Sequence, residues 1–141
     1  MRLSKEFQVS RGRDEVAQVL QDDEMLVGLF PDAQTEIVAR EGERKTTRSR
    51  YRALGREGEA TFHFDFGADG NVCFQKVCDG RVWRELKGQV QFEPRGSATQ
   101  VRITMEGRTK NFVPEFTIKA PMQEQIEQMA QALRRRIEQA G

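Results

Sequence analysis

The sequence has few of the residues that disulfides, metal centres and nucleophilic catalysis require. Its 141 residues include two cysteines and one histidine. Cys73 and Cys78 lie in one expected strand at an odd separation, so they face opposite sides, roughly 16 Å apart along an extended chain. That distance excludes a mutual disulfide, and a single histidine disfavours a Cys/His zinc site. The sequence therefore predicts two reduced cysteines, no metal and no cofactor.

Long hydrophobic runs and an excess of one charge are also lacking. No apolar run approaches the roughly 18 residues that a membrane span needs. The N-terminal stretch MRLSKEFQVS lacks the hydrophobic region of a signal peptide. The formal net charge is +1 with 32% charged residues, whereas a dedicated nucleic-acid-binding protein usually has a strong basic excess. We therefore expect one cytoplasmic domain over residues 1–141, with no integral membrane segment and no nucleic-acid partner.

The clearest periodic pattern lies near the C-terminus, from Pro121 to Gln139. Apolar residues recur there at steps of three and four, the spacing of one face of an α-helix: Met122, Ile126, Met129, Leu133 and Ile137. Pro121 is expected at the first helical position, because its missing N–H has no intrahelical partner there. Such a helix cannot bury its apolar stripe alone, so it needs a partner surface.

Most of the preceding chain alternates apolar and polar residues with the period of a β-strand. Leu3 to Val9 predicts the first strand, and two short helices, Asp14 to Leu20 and Asp22 to Leu29, follow before Pro31. The later strands are joined by short turns, which connect antiparallel neighbours. We expect an α+β helix-grip architecture, in which a curved antiparallel sheet of about seven strands, with two short helices after the first, wraps around the long C-terminal helix.

This order of elements resembles the START/Bet v 1-like (SRPBCC) superfamily, and within it the polyketide cyclase-like and carbon monoxide dehydrogenase-related branch. The stretch FQVSRGRDEVAQVLQDDEMLVGLFPDAQ is similar to the family's opening of strand, capped helix, aspartate-led second helix and proline. The stretch KAPMQEQIEQMAQALRRRIEQ is similar to the family's closing helix. The resemblance implies a cavity between helix and sheet for an apolar small molecule or lipid. It implies no reaction, because fold and function separate easily.

The strand alternation and the helical stripe assign a largely apolar set of residues to the space between sheet and helix. This set could line a ligand cavity, as the resemblance implies, or fill a packed core. The predicted ligand-binding residues are Phe62, Phe64, Phe66, Phe74, Arg84, Leu86, Val90, Ile103, Met105, Met122, Ile126, Met129 and Leu133.

Three polar residues, Thr47, Lys76 and Arg84, share the inward parity of the sheet residues. An inward Arg84 could grip a ligand carboxylate or phosphate with its two-pronged guanidinium. Alternatively, it could pair with a glutamate or reach water near the end of the sheet, because a buried unpaired charge is very costly.

The side on which Trp83 lies depends on the hairpin at Asp79-Gly80. A three-residue loop over 78–80 pairs Val77 with Arg81 and buries larger residues than a two-residue loop would. That register leaves Trp83 on the outer face. An exposed large aromatic often marks an interface, so Trp83 is the predicted contact of a homodimer or of another protein.

Two groups of polar residues have outward parity. His63 and Asp65 sit roughly 7 Å apart with no nucleophile placed beside them, so we expect no catalytic residue here. Arg48, Arg50 and Arg52 could bind an anionic partner, but the many glutamates favour cross-strand ion pairs.

The sequence favours non-catalytic binding of a hydrophobic small molecule or lipid between sheet and helix. One alternative is a protein-interaction module or homodimer with a filled core that uses Trp83 on the outer face. A third is a cyclase- or hydrolase-like enzyme of the same superfamily, which a polar cluster inside the cavity would favour.

Overall fold

The fold is given by a computed structural model that describes residues 1–53, 56–78 and 81–139, apart from the side chains of residues 53 and 56. These residues form seven strands and three helices. Their order is β1 (Arg2–Val9), α1 (Arg13–Gln21), α2 (Asp23–Gly28), β2 (Gln34–Glu41), β3 (Arg44–Ala53), β4 (Arg56–Phe66), β5 (Val72–Lys76), β6 (Trp83–Arg95), β7 (Ala98–Thr109) and α3 (Phe116–Gln139). The expected helix-grip architecture is confirmed.

The strands of the described residues form one antiparallel sheet in the order β1-β7-β6-β5-β4-β3-β2. Consecutive strands from β2 to β7 are neighbours, as short turns require. The first strand returns to pair with the last, placing Leu3 opposite Met105 and Phe7 opposite Val101. Gly42 and Gly96 take left-handed backbone conformations, with φ of 58° and 64°, in the tight turns after β2 and β6.

Helix α3 covers the predicted inner face, and its apolar stripe is at most 4% exposed. The helix begins at Phe116, so the prediction that Pro121 is its first residue was wrong. The N–H of Thr117 bonds to the carbonyl of Pro114, which closes the first turn ahead of Pro121. Ile118 lies one turn before Met122 and packs against the core, so the stripe already continues into this turn.

Glycines on β6 and β7 make room for aromatic side chains from neighbouring strands. A Cβ on Gly88 would lie 2.4 Å from Cζ of Phe74 and 2.4 Å from the backbone oxygen of Thr104. A Cβ on Gly107 would lie 2.4 Å from Cζ3 of Trp83. On the inner face, aromatic rings therefore pack directly against the backbone of these two glycines.

Trp83 faces the interior, so its predicted outer position was wrong. It is 9% exposed, whereas Val82 before it is 38% exposed. The pairing of β6 with β7 shifts between Trp83 and Glu85, which marks a β-bulge at Arg84. One extra residue reverses the alternation of faces, and Gly107 leaves space for the ring.

The predicted pairing of β5 with β6 was also displaced. The predicted pairing of Val77 with Arg81, continued along the two strands, would place Phe74 opposite Arg84. In the structure, Phe74 pairs with Gly88. Because the shift is even, Phe74 and Leu86 still share the inner face, as expected. The predicted turn residues Asp79 and Gly80 themselves lie outside the described residues.

Helix α2 is tied to the sheet by a cluster of charges around Asp23. The Asp23 carboxylate accepts hydrogen bonds from Arg40 Nη1 at 3.0 Å and Lys45 Nζ at 2.9 Å. These two cations hold the pKa of Asp23 well below its usual range, the hydrogen bonds from Arg40 being the larger cause. Asp22 caps the helix by accepting the backbone N–H of Glu24 at 3.1 Å.

Candidate functional site

A cavity of about 420 Å³ lies between the sheet and the first half of α3. Its apolar wall consists of Phe62, Trp83 and Leu86 from the sheet, Phe30 from the loop after α2, and Pro121 from the helix. Small-molecule sites usually occupy roughly 300–1,000 Å³ and are lined mainly by apolar and aromatic side chains. The cavity therefore has the size and the lining that an apolar small molecule needs.

Several polar residues of the cavity already have partners within the protein. Ser49 Oγ lies 2.8 Å from Thr35 Oγ1, so the two hydroxyls bond each other. Gln128 Nε2 donates to Asp32 Oδ2 at 3.0 Å, linking α3 to the loop after α2. These contacts connect the elements at the rim of the cavity.

Lys76 is the cavity-lining residue that combines a charge with inward parity. It lies opposite Phe62 in the β4–β5 pairing and is half-buried. Its ammonium makes no ion pair or hydrogen bond with the described residues. Glu124 reaches the cavity from α3 without forming an ion pair with it. Lys76 can therefore offer a positive charge to the polar end of a bound molecule.

Thr47 is fully buried on β3, as its inward parity predicts. It lies opposite Phe62, which lines the cavity. Its Oγ1 has no hydrogen-bond partner among the described residues. Because an unsatisfied buried hydroxyl is costly, this oxygen is a hydrogen-bonding group that the described part of the protein leaves unused.

The predicted ligand-binding residues are buried, with the exception of Arg84, but they occupy different depths. Phe62 and Leu86 line the cavity. Four others border a separate small void of about 20 Å³, namely Phe64, Phe74, Val90 and Leu133. The remaining six are at most 7% exposed and line neither space: Phe66, Ile103, Met105, Met122, Ile126 and Met129. The deep interior is thus close to filled, and the open volume lies toward one end.

Arg84 points to solvent, so its predicted inward position was wrong. The bulge that turns Trp83 into the cavity also turns Arg84 outward. Its Nη2 donates to Asn111 Oδ1 at 2.9 Å, in the loop between β7 and α3. Arg84 therefore supports that loop, and Trp83, which the predicted hairpin register put on the outside, takes a place in the cavity wall.

Three further cavity residues, Phe30, Tyr51 and Gln125, were not among those predicted from the sequence. Tyr51 shares the inward parity of Thr47 and Ser49, which was a usable signal. Phe30 comes from a loop and Gln125 from the polar edge of the helical stripe, where periodicity gives no indication of a cavity.

A larger hollow of about 600 Å³ near the ends of β3 and β4 is a poor candidate for an apolar ligand. It is lined mainly by charged residues, including Arg50, Arg52, Glu57 and Glu59. Arg48 and Arg50 lie 3.6 and 3.7 Å from the carboxylate of Glu59. These are the cross-strand ion pairs that the sequence predicts.

His63 and Asp65 are each held by a neighbouring strand. His63 Nδ1 lies 2.8 Å from Thr46 Oγ1. Asp65 accepts hydrogen bonds from Arg44 Nε at 2.8 Å and Nη2 at 3.1 Å. The two residues are thus engaged separately and do not form a joint acid–base pair.

No group of three or more His, Cys, Asp or Glu residues that could hold a metal ion occurs within the described ranges. In the same ranges, none of the helices is both long enough and apolar enough to cross a membrane.

Solved structures of three proteins match the chain over nearly its whole length. A START superfamily protein from Mycobacterium smegmatis shares 21% identity at a TM-score of 0.79, with 99% of each chain covered. The Zhui aromatase/cyclase from Streptomyces sp. R1128 shares 15% identity at a TM-score of 0.76, covering 98% of this chain and 91% of that one. A STAR-related lipid transfer protein from Xanthomonas axonopodis shares 18% identity at a TM-score of 0.70, covering 98% and 86%.

The chain has the START/Bet v 1-like helix-grip fold. No protein-family model matches the sequence, and no curated protein matches it. Because the identities are low, the likeness establishes the fold alone. The narrower placement in the polyketide cyclase-like and carbon monoxide dehydrogenase-related branch stays a prediction.

The helix-grip fold accounts for the position of the cavity. A long helix packed along a sheet leaves open space wherever no other element covers the gap between them. In this chain the gap lies beside Trp83 and Pro121.

Proposed function

We propose that this protein binds an apolar small molecule or lipid between sheet and α3, without catalysing a reaction on it. The observation that carries the proposal is the cavity of about 420 Å³ with Phe62, Trp83 and Leu86 in its wall. Burying an apolar ligand there would remove both the ligand and these side chains from water. A neighbour of the same fold carries lipid transfer in its name, which supports this class of ligand.

We also propose that the preferred ligand is amphipathic, with an acidic group directed to Lys76. Lys76 is half-buried, and its ammonium has no ionic partner among the described residues. A carboxylate there would gain a charge-assisted hydrogen bond in a partly desolvated position. A fatty acid or an aromatic acid satisfies both the apolar wall and the cation.

The lining of the cavity supports binding more than catalysis. Among the described residues that line it there is neither a histidine nor a cysteine. The hydroxyl of Ser49 bonds to Thr35, and no general base among the described residues lies within hydrogen-bonding distance of it. The aromatase/cyclase among the structural neighbours keeps an enzyme as the second candidate, with Tyr51 and Lys76 as the groups to test.

The predicted homodimer contact is not available, because Trp83 is buried in the interior of the protein.

We further propose a cytoplasmic location, since the free thiols of Cys73 and Cys78 would remain reduced there.

Native mass spectrometry of the purified protein, before and after extraction with organic solvent, tests the proposal directly. We expect an extra mass that the solvent releases. A panel of fatty acids, isoprenoids and flavonoid-like aromatics should then rebind, and the acids should bind most tightly. Trp83 is the sole tryptophan and lines the cavity, so its fluorescence should change on binding.

Two glutamines of α3 provide matched variants for this test. Gln125 is half-buried and lines the cavity, while Gln131 is exposed and does not. The large side chain of Gln125→Trp should obstruct the cavity and weaken binding at least about tenfold, and Gln131→Trp should leave it unchanged. No released mass together with no rebinding, or equal binding by both variants, would refute a ligand site in this cavity.

A further inference from the structure

Two phenylalanines are exposed to solvent, Phe112 in the loop between β7 and α3 and Phe116 at the first residue of α3. Phe112 is 103% exposed and Phe116 is 79% exposed, whereas no other large hydrophobic residue of the described chain exceeds 49%. Burying a large aromatic side chain is favourable, and that gain is forgone when the side chain stays in water. Two exposed phenylalanines so close in sequence therefore indicate a contact surface.

Phe112 lies in a tight backbone turn. The N–H of Val113 bonds to the carbonyl of Lys110 at 3.1 Å, which closes a tight turn with Asn111 and Phe112 at its centre. Phe112 has a φ of 71° and is the sole described residue other than glycine with a positive φ. Glycine or asparagine normally fills such a position, so a phenylalanine there is unfavourable for the turn itself.

Side chains from both flanks hold this turn in place. Thr109 Oγ1 donates to the carbonyl of Val113 at 2.7 Å. Arg84 Nη2 donates to Asn111 Oδ1 at 2.9 Å. The loop is therefore fixed by specific contacts although its most apolar side chain buries nothing.

The charged residues of the segment from Arg108 to Lys119 are mostly basic. Arg108, Lys110 and Lys119 are exposed along the same segment. The one acidic residue between them, Glu115, lies 3.6 Å from the N-terminal ammonium of Met1 and is offset by it. Lys119 is three residues after Phe116 on α3, so the two side chains share one face of the helix.

This surface borders the cavity. The N–H of Lys110 bonds to the carbonyl of Val82 at 2.8 Å, next to Trp83 in the cavity wall. Along α3, Phe116 precedes the cavity residue Pro121 by a little over one turn, roughly 7–8 Å at 1.5 Å per residue. The surface is therefore connected to residues of the cavity wall through the backbone bond at Val82 and through helix α3.

We propose that Lys110, Phe112, Phe116 and Lys119 form a docking surface for an anionic lipid bilayer. The two rings enter the boundary between headgroups and acyl chains, and the lysines contact the anionic headgroups. Exposed aromatic and basic side chains on this loop and on the first turn of α3 match such a surface in both polarity and charge. The inference deepens the proposed function, on which it rests for its biological meaning, since docking here would bring the cavity to a lipid source.

Co-sedimentation of the full chain with empty vesicles tests the docking surface. We expect the wild-type protein to bind vesicles of phosphatidylcholine mixed with phosphatidylglycerol at least about tenfold more than vesicles of phosphatidylcholine alone, with the difference reduced by salt. The double variant Phe112→Ser, Phe116→Ser should lose about tenfold in binding to the mixed vesicles. Lys110→Gln with Lys119→Gln should remove most of the preference for the anionic lipid.

The double variant Val27→Ser, Val38→Ser is the matched control. These valines are 42% and 41% exposed and lie on α2 and β2, away from the loop, so their replacement should leave vesicle binding unchanged. Phe112→Trp in a Trp83→Phe background adds a direct readout, because the new indole should shift its emission to the blue when vesicles are added.

Several outcomes would overturn the docking surface. These are no vesicle binding by the wild type, equal binding by the phenylalanine and valine variants, or no response of the indole. A wild-type dimer that the phenylalanine double variant dissolves would assign the surface to a second copy of the chain instead.

Ligand binding by the phenylalanine double variant separates this inference from the proposed function. We expect that variant to rebind the cavity ligand as the wild type does, because neither phenylalanine lines the cavity. Vesicle binding without any cavity ligand would contradict the proposed function alone, and a cavity ligand without vesicle binding would contradict the docking surface alone.

Discussion

The two ends of α3 carry the same apolar stripe but meet very different surroundings. Toward the C-terminus, Met129, Leu133 and Ile137 are at most 1% exposed, and the nearby void measures about 20 Å³. Toward the N-terminus, the helix borders the cavity of about 420 Å³ through Pro121 and Gln125.

The difference comes from what covers each end. Leu20 of α1 and Leu26 of α2 close the packed end together with Phe64 and Leu133. At the open end the loop after α2 contributes Phe30, Asp32 and Ala33 to the cavity lining. The stripe is buried along the whole helix, and the open volume lies beside it, where Pro121 and Gln125 line the cavity.

The largest expected effect comes from removing a side chain at the packed end. Leu133→Ala should lower the free energy of unfolding by about 3–4 kcal/mol, because the dense surroundings cannot collapse into the cavity it leaves. Leu86→Ala at the open end should cost less, about 1–2 kcal/mol, since Leu86 already borders open space. Urea denaturation of both variants measures the difference. Equal losses would mean that the open end is as tightly packed as the other.

The next largest effect on stability is expected from adding a methyl group at a glycine of the sheet. Gly88→Ala should cost about 2–3 kcal/mol, because the new Cβ would meet Phe74 and the backbone oxygen of Thr104, and the backbone cannot move aside cheaply. Gly28→Ala is the control, with no atom within 4 Å of its Cβ position and an effect expected within about 0.5 kcal/mol. Thermal unfolding distinguishes the two, and a neutral Gly88→Ala would show that the ring of Phe74 does not lie as described.

A smaller effect is expected from the charge at the open end. Lys76→Gln should weaken the binding of a fatty acid about tenfold, or about 1.4 kcal/mol, while leaving an uncharged apolar ligand unaffected. Lys87→Gln, an exposed lysine of β6, is the control and should change neither affinity. Isothermal titration with an acid and its methyl ester measures both. An equal loss for acid and ester would rule out recognition of the acidic group by Lys76.

The smallest effect concerns the charge cluster that anchors α2. The lowered pKa of Asp23 means that its ionised form stabilises the fold above the unfolded-state value of about 3.9, and that this stabilisation is lost as pH falls through the folded-state value. Asp23→Asn should therefore lower the Tm slightly at neutral pH, and the gap to wild type should narrow below about pH 4. A gap that stays constant with pH would show that the charge of Asp23 does not stabilise the fold.

Sequence periodicity was sufficient for much of the fold. Alternation from Phe62 to Phe66 and the stripe from Met122 to Ile137 identify the buried faces, because each face must be removed from water as a unit. The same rule failed at Arg84, where one extra residue in β6 reverses the faces. No local pattern marks that bulge, since it depends on Gly107 in the neighbouring strand leaving room for Trp83.

The candidate site was predictable only in part. Phe62 and Leu86 were named from parity, whereas Phe30 and Gln125 join the cavity through a loop and a helix edge. Parity states which side of a sheet a residue faces and does not state whether the space there is filled. Phe64 and Phe62 have the same parity, yet Phe64 borders the small void and Phe62 borders the larger cavity.

The sequence by itself determined the elements, the buried faces and the antiparallel order of the strands, because these follow from local periodicity and short turns. The tertiary structure alone decided which end of α3 is filled, where Trp83 and Arg84 point, and that Phe112 and Phe116 are exposed to solvent. These features depend on which distant elements come together, and packing between residues far apart in the chain leaves no periodic trace in the sequence.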